Sequence, residues 1–272
     1  HDGEPAEVAQ ALEEQYLPRF ARDAIPASRT GQALALADRL DTLTGIFGIG
    51  QRPTGTKDPF ALRRAAIGVI SILVKGELNL DLRELLDLAA AQHQALPAAD
   101  SLVDDVLTYM LDRFRAWGQD EGIPAEVYLA VRARPVTKPL DFARRLRAVH
   151  AFAQREEAAA LAAANKRVSN ILSKQADNVS HLVDAALFQA PAEQALLEAL
   201  IACRQHVMPL FAEARYHEAL DRLAELRRPV DTFFDDVMVL AEDEAVRANR
   251  LALLADLHAL FLEVADIALL QQ

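Results

Sequence analysis

Apolar residues return every third or fourth position along most of the 272-residue chain, which is the spacing of one face of an α-helix. Val8, Leu12, Tyr16 and Phe20 step by four, and Leu36, Leu40, Leu43 and Phe47 step by four, three and four. Period-two alternation never persists long enough to lay out a strand. Alanine and leucine dominate, aromatics are only 6%, and long stretches lack Gly and Pro, which favours helices and leaves a sheet little to build with. The chain therefore reads as all-α. At 52% hydrophobic, its 272 residues suffice for one large domain or two ordinary ones with real cores.

Helices are expected over about 5–22, 30–47, 59–76, 81–95, 101–118, 140–154, from there to about 175, then 191–213, 216–227 and 242–265. Asp58 reads as an N-cap with Pro59 at the first helical position, and "DLRE" at 81–84 as a capping box. "FALRRAAIGVISILV" is apolar nearly all round after Arg64, as a core helix would be. Two glycines and three prolines (Pro124, Pro135, Pro139) mark 118–139 as a linker between helical domains 1–117 and 140–272. The opening "HDGEPAEVAQ" has neither a Met nor a signal-peptide pattern, so a piece of a longer cytoplasmic protein is expected. No run of about 18 uncharged apolar residues calls for a membrane. Cys203 has no cysteine to pair with and lies in an apolar helical run, as a buried thiol would.

The net charge of −11 argues against nucleic acid, but its distribution argues the other way. Between Arg132 and Arg167 nine basic residues face three acidic ones, a local excess of six. Solvated helix faces would produce the same excess.

Four of the ten glycines fall within "GIFGIGQRPTG", and Gly50 to Lys57 reads G-x-x-x-x-G-T-K. A phosphate loop needs a strand before it, Lys directly after the last Gly, and a free helix N-terminus behind it. Here a helix precedes, Lys57 and Thr56 are transposed, and Asp58 offers its own carboxylate to the following helix. The stretch reads instead as a helix-to-helix turn in which Gly48, Gly50 and Gly55 permit positive φ. Lys57, Arg63 and Arg64 project near it as candidates for an RNA backbone.

"ALADRLDTLTGIFGIGQRPTGTKDPFALRRAAIGVI" (35–70) closely resembles the beta subunit of the bacterial heterotetrameric glycyl-tRNA synthetase. "VDDVLTYMLDRFRAWGQDEG", "AAANKRVSNIL" and "RANRLALLADLHALFLEVADIALLQ" resemble the same subunit, in order. The resemblance implies an HD-like helical domain followed by an all-helical anticodon-binding bundle of the arginyl- and cysteinyl-tRNA synthetase type. It implies a tRNA-recognition role in a glycine–tRNA ligase, with no catalytic residue in this chain. The alpha subunit would carry the active site and use ATP and Mg2+, in an assembly of two alpha and two beta chains. Glycine tRNA and the alpha subunit are the implied partners, with no membrane and no cofactor held by this chain.

In "NKRVSNIL", Lys166, Arg167 and Asn170 share one helix face, with Val168, Ile171 and Leu172 turned to the core. Arg247, Asn249 and Arg250 recur in "VRANRLALL". The resemblance makes all six residues candidates for the anticodon loop, against ordinary Arg–Glu pairing on helix surfaces. Tyr216, Phe233 and Phe234 are candidate stacking groups, with core burial favoured for the two phenylalanines. His1, Asp2 and Asp38 are candidates for a degenerate HD-type metal site, with Asp38 and Asp41 able to share a helix side. The other histidines show no metal-binding spacing, and no metal is expected. The rival readings are an HD-type metal-dependent phosphohydrolase and a helical scaffold that contacts only proteins.

Overall fold

A computed structural model of the chain describes residues 3–20, 22–55, 57–94, 96–97, 99–175 and 182–270. Among the described residues are thirteen α-helices and no strand beyond an isolated bridge between Thr54 and Lys57. The all-α expectation holds. The helices gather into two compact units, one comprising the chain up to Gly122 with Val136–Ala143, the other Ile123–Pro135 with the chain from Arg144 onward.

The first unit holds α1 (Ala6–Glu14), α2 (Arg29–Gly48), α3 (Leu62–Lys75), α4 (Leu82–Ala90), α5 (Leu102–Asp112) and α6 (Phe114–Asp120). Ser28 caps α2 by accepting from the Gly31 N–H, and Asp81 caps α4 by accepting from the Arg83 N–H. Leu36, Leu40, Leu43 and Phe47 are buried where α2 packs against α3, α4 and α5, and on α3 Leu62, Ala66, Val69, Ile72 and Leu73 are fully buried. Each such aliphatic side chain larger than Ala contributes roughly 1.5–3 kcal/mol of transfer free energy. Gly68 admits close packing here, since a Cβ would come 2.7 Å from Arg39 Nε.

Two local expectations change. The first helix stops at Glu14 rather than running to about 22. Pro18 brings no N–H, and the Arg39 guanidinium draws the Gln15 and Tyr16 carbonyls out of any helical pattern, at 2.8 and 3.2 Å. The apolar row is exposed throughout, Val8 and Leu12 on the helix and Tyr16 and Phe20 beyond it. Helix α3 begins at Leu62 rather than Pro59, because Ala61 adopts the left-handed conformation at φ 54°. Asp58 still caps it, from upstream. In the turn before it, Gly50 and Gly55 take positive φ, whereas Gly48 ends α2 with ordinary helical backbone.

The second unit holds α7 (Ala125–Arg132), α8 (Pro139–Ala153, from Arg144 on), α9 (Glu156–Lys174), α10 (Pro191–Ala212), α11 (Tyr216–Ala224), α12 (Arg227–Asp236) and α13 (Glu244–Leu262). Its core includes Leu146, Phe152, Leu161, Val168, Leu196, Leu220, Phe233, Leu254 and Phe261. Residues 118–139, expected as a linker, contain α7, whose Val127, Ala130 and Val131 are buried and whose Ala130 carbonyl accepts from the Asp266 N–H at 2.9 Å. The prolines there bracket a helix; Pro124 sits at its N-cap. Among the described residues, α10 alone is long and apolar enough, by length and composition, to cross a membrane. It packs against α11, α12 and α13 and carries a buried ion pair through Glu193.

Candidate nucleic-acid interface

Helix α9 presents its polar face beside the segment that joins α12 to α13. Together they shape a groove of about 620 Å³ lined by Lys166, Arg167, Asn170, Ile171, Lys174, Met238 and Leu240, among others. Lys166, Arg167, Asn170 and Lys174 fall at steps of three and four, which helical geometry places on one side. Val168 is fully buried as expected, whereas Ile171 is half-buried and lines the groove. Among the described residues, three cations and no carboxylate line the groove. Opposite them Met238 is 76% and Leu240 52% exposed, so the cavity pairs positive charge with open apolar surface. Arg167 lies over the ring of Phe234 at 4.2 Å, which holds the guanidinium plane in place.

Arg247, Asn249 and Arg250, the other expected anticodon-loop residues, do not line this groove. Arg250 is buried and forms an ion pair with fully buried Glu193, Nε to Oε1 at 2.8 Å. A second donor reaches the Met238 carbonyl at 2.9 Å. Asn249 is buried and bonds twice to the backbone of Asp184, at 2.7 and 2.9 Å. Arg247 donates to the carbonyls of Ala241 and Glu242 at 2.9 and 3.5 Å. Asn249 and Arg250 face inward because their helix is packed against α9 and α10, whereas Arg247 is half-buried. Arg247 and Arg250 thus pin the 237–242 segment that forms the groove's apolar wall.

Burial pushes the Glu193 carboxyl up, but Arg250 and the N–H groups of Gln189 and Ala190 outweigh it and hold the acid below its ordinary value. Tyr216 and Phe233 are core residues, so of the three candidate stacking groups only Phe234 is partly exposed. The basic excess of 132–167 does not form one patch. Arg145 donates to the Glu263 and Val264 carbonyls, and Arg155 pairs with Asp221. Lys174, Met238 and Leu240 carry little signal in the sequence: "VMVL" following "FFDD" is an apolar run outside any expected helix.

In the first unit, Asp58 accepts from the N–H groups of Leu62 and Arg63 at 2.8 and 2.9 Å. Its carboxylate fills the helix N-terminus that a phosphate would need, which rules out a phosphate loop on geometry. Arg63 donates to the Gly55 carbonyl and so ties down its own turn. Lys57 and Arg64 are exposed. Asp38 and Asp41 diverge instead of sharing a site: Asp41 faces His93 at 3.2 Å, and Asp38 lies near Arg39 and Arg64. His1 and Asp2 lie outside the described residues. Among the described residues no three His, Cys, Asp or Glu side chains cluster to hold a metal ion. Burial pushes the Cys203 thiol up to about 11, which leaves it protonated and inert near neutrality.

Comparison with known proteins places these features. Residues 1–133 match the family described as glycyl-tRNA synthetase beta subunit, and residues 161–267 match the DALR anticodon binding domain. A glycine–tRNA ligase beta subunit of Chromohalobacter salexigens is 77% identical over 271 residues, covering 100% of this chain. Those of Pectobacterium carotovorum and Marinobacter nauticus are 56% and 55% identical over the same length, covering 100% and 99% of the chain. The chain spans 39% of the length of each of these relatives. The groove lined by α9 lies within the anticodon binding match, and the Gly/Pro turn within the other. From the opening residues to the last helices, the chain belongs to the glycyl-tRNA synthetase beta subunit family.

Proposed function

We propose that this chain is the tRNA-recognition part of a glycine–tRNA ligase, and that the α9 groove receives unpaired bases of the anticodon loop. One observation carries the reading. Three cations and Asn170 face exposed Met238 and Leu240 across a cavity of about 620 Å³, inside the segment that matches an anticodon binding domain. Cations that bind phosphate beside apolar surface that can cover an unpaired base suit single-stranded RNA. Lys57 and Arg64 of the first unit are exposed and suited to the tRNA backbone.

The chemistry belongs elsewhere in the ligase. The alpha subunit holds the site that joins glycine to tRNA with ATP and Mg2+, in a cytoplasmic assembly of two alpha and two beta chains. Binding energy gathered here positions the acceptor end at that distant centre, which accelerates the reaction without a catalytic group in this chain. The phosphohydrolase reading finds no support, since Asp38 stands beside arginines rather than carboxylates.

The test is equilibrium binding of a glycine-tRNA anticodon hairpin to the full-length subunit. Arg167→Ala is expected to weaken binding about tenfold, the loss of one good contact, and to flatten the salt dependence by about 0.7–0.9 in log–log slope. An unchanged affinity together with an unchanged slope would sink the assignment.

A further inference from the structure

In the first unit a smaller pocket, of about 320 Å³, opens between the α1–α2 loop, α2 and the start of α3. Tyr16, Arg19, Asp38, Arg39, Phe60 and Arg64 line it. Arg39 is buried at 9% exposure, and its guanidinium donates to four backbone carbonyls, those of Gln15, Ala35, Tyr16 and Pro18. Carbonyl dipoles solvate the cation without neutralising it, and among the described residues Arg39 forms no ion pair. Burial draws this guanidinium below its ordinary value, with only Asp38 opposing. Arg64 is exposed at the rim and, among the described residues, has no hydrogen bond or ion pair. Arg19 is already matched by Asp23 at 2.9 Å. With Arg19 so matched, one carboxylate, Asp38, faces the two cations Arg39 and Arg64, which leaves the pocket with an excess of positive charge. That charge pattern repels a metal dication, which needs several oxygen anions, and attracts an anion.

The walls add a second preference. Tyr16 is 67% and Phe60 42% exposed, so two flat rings meet solvent at the pocket where a folded protein would ordinarily cover them. Phe60 is held there by Ala61, whose φ of 54° and ψ of 34° lie in the left-handed region that a side chain with a Cβ seldom adopts. Strained backbone of this kind gathers at ligand sites. The volume sits at the lower end of the range for small-molecule pockets, roughly 300–1,000 Å³, which suits one nucleotide and not two.

We infer that this pocket binds a single phosphorylated nucleotide, its phosphate bonded by Arg64 with the buried charge of Arg39 behind it, and its base laid against Tyr16 or Phe60. The occupant is an unpaired nucleotide of an RNA chain, an identity that rests on the tRNA-recognition reading; the pocket's chemistry is shared by a free mononucleotide.

The test uses full-length subunit carrying Arg167→Ala, so that the α9 groove contributes little. A 5′-phosphorylated single-stranded tetranucleotide and AMP are titrated into this background and into the same protein with Phe60→Ala, Arg64→Ala or Arg64→Lys added. These side chains are partly or largely exposed, so the variants should fold, as circular dichroism would verify. Phe60→Ala is expected to weaken tetranucleotide binding about 5- to 30-fold with the salt slope unchanged, as loss of stacking does. Arg64→Ala should weaken it similarly and reduce the slope by about 0.7, with Arg64→Lys restoring the slope. AMP binding that responds to these variants while the tetranucleotide does not would keep the pocket and overturn the RNA occupant. Unaltered binding of both probes in every variant overturns the pocket itself. The anticodon hairpin reports on the α9 groove separately, so either assignment can fail with the other intact.

Discussion

Arg167 and Arg250 look alike in the sequence: each is a basic residue within three positions of an asparagine, on an apolar-patterned helix. The fold separates them completely. Arg167 stacks on Phe234 at a groove, whereas Arg250 is enclosed with Glu193 at 2.8 Å. Removing one member of a buried pair leaves the other charge without water or counter-ion. Arg250→Ala should therefore cost about 3–5 kcal/mol of stability, read as a lowered urea midpoint. Replacing both partners by Met and Leu should recover only part of that. Glu193 also caps Gln189 and Ala190, and Arg250 also holds the Met238 carbonyl, tasks an apolar pair cannot perform. A midpoint unchanged by Arg250→Ala would refute the structural role assigned to it. The candidates on α9 were legible because three- and four-residue steps reveal a shared face. Those on α13 misled because the same steps do not say which face is covered.

At the scale of elements, Asp58 shows a cap read correctly from sequence with its helix boundary displaced. Its carboxylate bonds to the N–H groups of Leu62 and Arg63, four and five residues on, across a left-handed Ala61. Asp58→Ala should cost about 1–2 kcal/mol, with Asp58→Asn costing less because an amide oxygen still accepts; denaturant midpoints for the two would show the order. Equal losses would mean that the charge, not the hydrogen bond, matters there. Two helices escaped the reading for one reason. Pro124 precedes α7 and Pro229 lies in the first turn of α12, positions where proline starts a helix although it reads as a break. Missing α12 also concealed how Phe234 and the 237–242 segment come to face α9.

At the scale of the whole molecule, acid should loosen the fold in two steps. Burial lowers the His258 value below 6.5, so the unfolded chain takes up this proton first, and stability falls as pH drops through 6.5 toward the folded-state value. Glu193 is held below its ordinary 4.5, so its contribution is present above 4.5 and is lost as pH falls through the lowered value. Urea midpoints on either side of 6.5 test the first step, and His258→Gln should flatten it; an undiminished slope in that variant would assign it to another group. By itself the sequence determined the helical class, the buried rows of α2 and α3 and, through the Gly/Pro turn with its Asp58 cap, the family. Those are properties of local spacing and of rare residues in fixed order. Only the tertiary structure decided which charges stay in water. Arg250 meets Glu193 from 57 residues away, Arg39 gathers carbonyls from a loop more than twenty residues before it, and Arg64 meets no partner at all among the described residues. Whether an arginine binds RNA or holds a helix depends on what packs over it, and that is set by distant chain which local periodicity does not encode.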